Sequence, residues 1–161
     1  MNPPGKIRSR DEIQDVILRL KQAGKKIVFT NGCFDLLHVG HIRYLQEAKA
    51  LGDVLVVGLN SDTSVRRIKG DQRPLVPESE RAEVLAALAC VDLIVLFEEP
   101  TPARLIETVR PHILVKGGDW SVEQIVGRET VEADGGKVYT LPVVAERSTS
   151  NMIQRILERY R

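Results

Sequence analysis

Two of the chain's three histidines, His38 and His41, stand three residues apart on either side of Gly40. A helix is predicted to begin near His41, and at this spacing both imidazoles can point in one direction. Gly40 lets a ligand approach the backbone, and the helix N-terminus adds free N–H groups and partial positive charge. These features favour the binding of a phosphate group. The alternatives are a metal site, for which only Cys33 is a nearby third ligand, and two incidental surface histidines.

Further polar residues stand directly after the predicted strands. Loops are polar in most proteins, which accounts for this polarity but not for the paired histidines. Doubly wound sheets bind ligands at the carboxyl ends of their strands, so we expect these residues to converge on one edge. The candidates are Asn31, Gly32, Cys33 and Phe34 after the first strand, Asn60 and Asp62 after the second, Lys116, Gly118, Asp119 and Trp120 after the fourth, and Ser148, Thr149 and Ser150 after the fifth.

Three basic residues lie near these loops in the sequence. Residues 66–77 are rich in Lys, Arg, Gly and Pro and predict a mobile basic loop, which carries Lys69 and Arg73. Arg81 follows on the next predicted helix. We expect these cations to supply mobile positive charge near bound phosphates, and the alternative is a solvated loop and a helix-face arginine. Lys116 differs from them, because it ends a buried strand and faces the ligand edge.

Several candidates also have a structural interpretation. Asp119 can cap the helix that follows it, and Trp120 can belong to the core. One hydroxyl group among residues 148–150 suffices to cap the last helix, so the other two favour phosphate binding. Cys33 is not expected to be a nucleophile, because no Cys–His–acid constellation accompanies it.

Short apolar runs alternate with amphipathic helical patterns along the chain. The runs are continuous, which is typical of a parallel sheet covered on both faces. The predicted fold is α/β, a single-domain, Rossmann-like, doubly wound parallel sheet of about five strands. The domain takes in residues 1–161, with 1–8 as a flexible lead. The last helix is expected to bury Ile153, Ile156, Leu157 and Tyr160. Strands are predicted at 27–29, 54–59, 93–97, 113–115 and 137–141, and helices begin near Ser9, His41, Glu78, Thr101 and Ser148.

The composition argues against several classes of function. A chain of 161 residues fits one domain with a substantial core. The formal net charge of +1 argues against broad, charge-driven binding to nucleic acid or to membranes. No apolar run approaches the ~20 residues that cross a bilayer, and the N-terminus has no apolar segment typical of a secretory signal. Two cysteines are too few for a disulfide framework, which favours a cytoplasmic protein.

Five segments of the chain, in order, resemble the HxGH nucleotidyltransferase superfamily. Within it, the closer resemblance is to the bacterial heptose 1-phosphate adenylyltransferases, which make ADP-heptose for lipopolysaccharide. H-x-G-H alone is a weak motif, but five segments with family-like spacing are specific. Many members carry a fused sugar kinase; none precedes this module, so we expect the stand-alone form. The segments are KIVFTNGCFDLLHVGHIRYLQEAKALGD, LNSDTSVRRIKG, RPLVPESERAEVLAAL, LVKGGDW and RSTSNMI.

The resemblance implies transfer of AMP from ATP to heptose 1-phosphate by direct attack on the α-phosphorus, with release of pyrophosphate. It implies that His38 and His41 hold the triphosphate and stabilise charge; with Lys116 they are the candidate catalytic residues. Mg²⁺ is expected to accompany ATP, and a homodimer is a family-level expectation. The implied nucleotide contacts are Asn31, Gly32, Cys33, Phe34, Gly40, Asn60, Asp62, Arg81, Gly118, Asp119, Ser148, Thr149 and Ser150, and the implied sugar-phosphate contacts are Lys69, Arg73, Lys116 and Trp120.

Other functions remain open at this point. A cytidylyltransferase acting on glycerol or ethanolamine phosphate shares the H-x-G-H element, and so does a catalytically inactive nucleotide-binding module. A phosphopantetheine adenylyltransferase usually has Thr where this chain has His38. A redox dinucleotide domain needs G-x-G-x-x-G after the first strand, and this chain has T-N-G-C-F-D there. A transfer-RNA synthetase needs additional domains that 161 residues cannot hold.

Overall fold

The computed structural model describes residues 5–118, 120–142 and 148–160. Its strands are β1 (Ile7–Arg8), β2 (Ile27–Gly32), β3 (Val54–Asn60), β4 (Leu93–Phe97), β5 (Ile113–Gly117) and β6 (Lys137–Leu141). Its helices are α1 (Arg10–Gln22), α2 (Val39–Ala50), α3 (Asp62–Lys69), α4 (Glu78–Ala86), α5 (Ala103–Val109), α6 (Arg128–Ala133) and α7 (Thr149–Arg159), with a short 3-10 turn at Val122–Gln124. The strands form one parallel sheet in the order β1-β4-β3-β2-β5-β6.

The predicted α/β fold is confirmed, with six strands in the described residues rather than about five. The additional strand is β1, which falls in the segment expected to be a flexible lead. Ile7 pairs with Ile94 at the sheet edge, and the Ile94 amide donates to the Lys6 carbonyl at 2.8 Å. A strand of two residues is too short to give an apolar run, so the sequence carries no signal for it.

Helices cover both faces of the sheet, as a doubly wound fold requires. One apolar cluster joins α1, α5 and α6 to one face, and a second joins α2 and α4 to the other. β3 lies at the centre and is buried along its whole length. Because β3 lies on one side of β2 and β5 on the other, the order reverses at β2. Ligands of such sheets bind at this switch point, outside the carboxyl ends of the strands.

Three helical regions differ from the sequence prediction. The stretch predicted as a mobile loop from residue 66 begins inside α3, which Ser61 caps by accepting a hydrogen bond from the Ser64 amide at 3.1 Å. The helix expected soon after Asp119 is only the 3-10 turn at Val122–Gln124, and α6 begins later, at Arg128. In α7, Ile156 and Leu157 are about half exposed and Tyr160 is 86% exposed. The prediction that α7 buries this face is wrong, because periodicity shows that a helix has an apolar stripe but not that another element covers it.

None of the described helices is long and apolar enough to cross a membrane.

Candidate active site

A pocket of about 700 Å³ opens at the carboxyl ends of the strands. It lies where the strand order reverses and takes in the loop after β2, the end of β5 and the start of α7. Most of the residues proposed from sequence line it. They are Asn31, Gly32, Cys33, Phe34, His38, Gly40, His41, Asn60, Lys69, Arg73, Lys116, Trp120, Ser148, Thr149 and Ser150. Asp62, Arg81 and Gly118 do not line it, and Asp119 falls outside the described residues.

His38 is the N-cap of α2. Its backbone is extended, and its Nδ1 accepts a hydrogen bond from the Gly40 amide at 3.1 Å. A neutral imidazole whose Nδ1 accepts carries its proton on Nε2. The sequence H-x-G-H therefore fixes the tautomer of His38 through the start of the helix.

The ring of His41 stacks on that of His38, with 3.9 Å between the ring centroids and 23° between the planes. Burial and, to a smaller extent, the neighbouring His38 together lower the pKa of His41 to about 4, although the Leu36 carbonyl acts in the opposite direction. His41 Nδ1 is buried and finds no hydrogen-bond partner among the described residues. His41 is thus neutral near pH 7, and an anion bound beside it would favour its protonation.

Phe34 shapes the loop between β2 and α2. Its φ of +45° lies in the left-handed region, which non-glycine residues rarely adopt. Its ring packs edge-on against His41 at 5.3 Å and covers Gly32, where a Cβ would lie 2.9 Å from the Phe34 ring. Glycine is therefore required at position 32, because any side chain there would displace the ring that supports His41.

Asp35 is a site residue that the sequence analysis missed. Its buried carboxylate accepts hydrogen bonds from the amides of Leu75 and Val76, both at 2.9 Å, and from Arg73 Nε at 2.5 Å. Burial raises the pKa of Asp35, but these three donors outweigh it and hold the pKa below its usual value. Asp35 therefore holds the segment that follows α3 against the loop between β2 and α2, the loop that leads to His38. The only feature of the sequence that pointed to Asp35 was its position in the loop after β2, directly after the candidate nucleotide contacts.

Arg81 differs most from its predicted role. We expected a mobile cation near the phosphates, but the residue is 2% exposed. Its guanidinium donates to the carbonyls of Cys33, Asn60 and Val76 and to a carboxylate oxygen of Asp62, over distances of 2.6 to 2.9 Å. These acceptors draw Arg81 inward, because a buried charge must be paired and hydrogen-bonded. Asp62 is likewise occupied by Arg81 rather than facing the pocket.

Lys116 is the second-last residue of β5 and lines the pocket. Its Nζ lies 3.5 Å from the amide oxygen of Asn31, and burial lowers its pKa. Arg73 and Lys69 approach from the segment around the end of α3. Trp120 is 53% exposed at the pocket, so it does not belong to the core. The pocket thus combines three cations with one exposed indole ring.

The hydroxyl groups of Ser148 and Thr149, at the start of α7, make two different hydrogen bonds. Ser148 caps the helix by accepting from the Asn151 amide at 3.1 Å, and Thr149 Oγ1 donates to the Leu36 carbonyl at 3.2 Å. Ser150 lines the pocket beside them. The capping interpretation therefore holds for Ser148, while the helix N-terminus as a whole faces the histidine loop. Asn60, also at the pocket, is buried and donates to Ser64 Oγ at 3.0 Å.

Comparison with known proteins places this geometry in a family. A profile of the cytidylyltransferase-like family matches residues 29–155, from β2 to α7. The chain belongs to the cytidylyltransferase-like family. The match takes in both histidines, Lys116 and the start of α7, so the pocket belongs to the part of the chain that defines this family of nucleotidyltransferases.

The curated relatives are longer proteins. The bifunctional protein HldE of Citrifermentans bemidjiense is 60% identical over 155 residues, which cover 96% of this chain and 32% of the relative. The bifunctional protein HldE of Syntrophotalea carbinolica is 58% identical with the same coverage. The chain therefore spans about a third of the length of these curated relatives.

Solved structures share the fold. A lipopolysaccharide core biosynthesis protein from Thermoplasma volcanium is 32% identical, with a TM-score of 0.62 over 75% of this chain and 98% of that one. The pantoate–β-alanine ligase of Francisella tularensis is 17% identical, with a TM-score of 0.63 over 95% of this chain and 79% of that one. The second similarity concerns the fold alone.

Proposed function

We propose that the chain transfers AMP from ATP to heptose 1-phosphate and releases pyrophosphate and ADP-heptose. The observation that carries the proposal is the stacked pair of His38 and His41 at the start of α2, which shares one pocket with Lys116 and the start of α7. Two helix N-termini and several cations in one pocket suit a triphosphate together with a second phosphate. The similarity to HldE and to a lipopolysaccharide core biosynthesis protein supports a heptose acceptor.

The two histidines and the start of α7 would hold the nucleotide. His38 presents an Nε2 proton, because its Nδ1 accepts from the Gly40 amide. His41 would gain a proton as the triphosphate binds, since the anion offsets the burial that keeps the ring neutral. Ser150 and the first backbone N–H groups of α7 would receive the terminal phosphates.

The remaining cations would hold the acceptor. Within the described residues, Lys116 has only a long contact to Asn31, so its ammonium group would be able to bind the sugar phosphate. Arg73 Nε is committed to Asp35, which leaves its terminal amino groups for an anion. Trp120 presents an exposed ring against which a sugar can pack.

The proposed reaction is one in-line displacement. A non-bridging oxygen of the sugar phosphate forms a bond to the α-phosphorus of ATP. The bond from that phosphorus to the β-phosphate oxygen breaks, and pyrophosphate leaves with the electron pair. The acceptor is already an anion near pH 7, because its second pKa is about 6, so the protein need only align the groups and neutralise charge. Cys33 takes no part, since burial raises the pKa of its thiol.

Mg²⁺ would enter with ATP. No group of three or more His, Cys, Asp and Glu side chains in the described part of the chain is arranged to hold a metal. A Mg²⁺ that binds together with ATP takes most of its ligands from phosphate oxygens and water. When bound, the ion would neutralise charge on the triphosphate.

The test is pyrophosphate release with Mg²⁺, in which ATP and CTP are each combined with heptose 1-phosphate and glycerol 3-phosphate. Release with ATP and heptose 1-phosphate is expected, and His41→Ala should lower kcat about 100-fold or more. His112→Gln is the matched control, because His112 is exposed at the opposite end of β5. Its Nδ1 accepts a hydrogen bond from the Ile27 amide at 2.9 Å, which the amide oxygen of glutamine can also accept, so kcat should be unchanged. Absence of release with every pair would overturn the proposal.

Cytidylyl transfer is the second candidate, and the observation behind it is that the matching family is described as cytidylyltransferase-like. It would use the same histidines and the same displacement, with CTP in place of ATP. Release of pyrophosphate with CTP and glycerol 3-phosphate, but not with ATP and heptose 1-phosphate, would decide for it.

A further inference from the structure

The buried guanidinium of Arg81 gathers three backbone carbonyls from three separate segments. Its Nη1 donates to the Cys33 carbonyl at 2.6 Å and to the Asn60 carbonyl at 2.9 Å, and its Nε donates to the Val76 carbonyl at 2.9 Å. Its Nη2 donates to Asp62 at 2.7 Å. Four of the five N–H groups of an arginine are therefore used inside the protein. Arg81 is buried and does not line the pocket, so we expect it to act through the backbone that it holds.

Each of these carbonyls sets the direction of the next amide, because a trans peptide is planar and its C=O and N–H point in opposite directions. The amide after Asn60 belongs to Ser61 and donates to the Phe97 carbonyl at 2.9 Å. Val76 is followed by Pro77, which has no N–H. The amide after Cys33 belongs to Phe34, and within the described residues it donates to no partner.

The Phe34 amide therefore points away from Arg81. Cys33 and Phe34 both line the pocket and Arg81 does not, so we infer that an N–H of this peptide that points away from Arg81 lies on the pocket side. Phe34 also holds a left-handed φ of +45°, a conformation that persists only where its surroundings enforce it. Two contacts hold this backbone conformation. Arg81 donates a hydrogen bond to the Cys33 carbonyl before Phe34, and the Phe34 ring packs against His41.

We propose that Arg81 is a positioning residue, which fixes the peptide joining Cys33 and Phe34 so that the Phe34 N–H binds a phosphate oxygen of the nucleotide. The inference rests on the proposed function, in that the anion is taken to be a nucleoside triphosphate. Arginine is required because its planar fork holds several carbonyls in fixed directions. A lysine would keep the charge but could not hold all three segments at once.

The first test compares Arg81→Lys with Leu85→Ala by calorimetric binding of ATP and of adenosine. Leu85 lies on the same helix, is fully buried and does not line the pocket, so its replacement destabilises α4 without touching the three carbonyls. Arg81→Lys should weaken ATP binding about 10- to 100-fold, the usual worth of a hydrogen bond to a charged group, and change adenosine binding little. Leu85→Ala should leave both affinities unchanged. Equal loss of ATP and adenosine binding in Arg81→Lys, or an unchanged ATP affinity, would overturn the inference.

The second test needs no variant. The Phe34 amide signal of the wild-type protein is followed by ¹⁵N–¹H NMR during titration with inorganic pyrophosphate and with ATP. A downfield shift of the Phe34 amide proton is expected with both anions. An unmoved Phe34 amide in protein that binds ATP refutes the inference and leaves the proposed function intact. A Phe34 amide that responds to both anions in protein that binds ATP but transfers no AMP to heptose 1-phosphate supports the inference and refutes the proposed function.

Discussion

The low pKa of His41 predicts a specific loss of stability in acid. In the folded protein this pKa is about 4, against an ordinary value of 6.5. Between these values the unfolded chain binds a proton that the folded chain does not bind. Stability is therefore fully retained above pH 6.5 and falls as the pH is lowered towards about 4. His41→Gln removes this titration, so its stability should depend less on pH.

The size of the effect follows from the two pKa values. A fully buried ring with this difference would lose about 3 kcal/mol of stability. His41 is partly open to solvent in the pocket, which reduces the expected loss to about 2 kcal/mol. In a domain of this size that corresponds to a Tm lower by roughly 4 to 8 °C.

The assay is thermal unfolding of the wild-type protein and His41→Gln, each at about pH 7.5 and about pH 4.5. The quantity compared is the drop in Tm of each protein between the two conditions. The Tm of the wild-type protein should fall by roughly 4 to 8 °C more than the Tm of His41→Gln. ATP should reduce this difference, because its phosphates favour the charged form of the His41 ring. Equal drops in the two proteins would refute the assignment of a buried, neutral His41.

Three further predictions concern other parts of the structure. Asp35→Asn should lower Tm and raise the KM for both substrates, because it weakens the hydrogen bonds that hold Arg73 and the segment after α3. Steady-state kinetics and a melting curve check this, and an unchanged KM would contradict it. Lys116→Met keeps the length of the side chain and should raise the KM for heptose 1-phosphate at least 10-fold while leaving ATP binding nearly unchanged, as kinetics and calorimetry can show. Ile156→Ser should change the free energy of unfolding by less than about 0.5 kcal/mol, whereas Leu45→Ala should cost about 2 to 5 kcal/mol in denaturant titrations; a comparable cost for both would mean that α7 is covered.

The central strands were predictable from sequence for a physical reason. Strands buried on both faces are apolar along most of their length, and β3 is buried throughout and polar only at its last residue, Asn60. The same reasoning fails for β1, where two residues pair at an edge, and for α7, whose apolar stripe faces solvent. The local sequence shows which residues an element contains. Which other elements pack against it depends on the rest of the fold.

The residues of the candidate site also differ in whether local sequence could point to them. His38, His41 and Lys116 were found because unusual residue types stand directly after strands. Asp35 and Arg81 were missed or misassigned because their partners lie far along the chain, with Leu75 forty residues from Asp35 and Cys33 forty-eight from Arg81. A buried charge can be distinguished from a mobile one only when the acceptors around it are known.

The most direct test of the account uses ATP labelled at the α-phosphate, with heptose 1-phosphate and Mg²⁺, and follows the label by chromatography and mass spectrometry. The account predicts that the wild-type chain moves the label into ADP-heptose, and that the double variant His38→Ala with His41→Ala moves almost none of it. Labelled product formed equally well by the double variant, or none formed by the wild-type protein, would contradict the account.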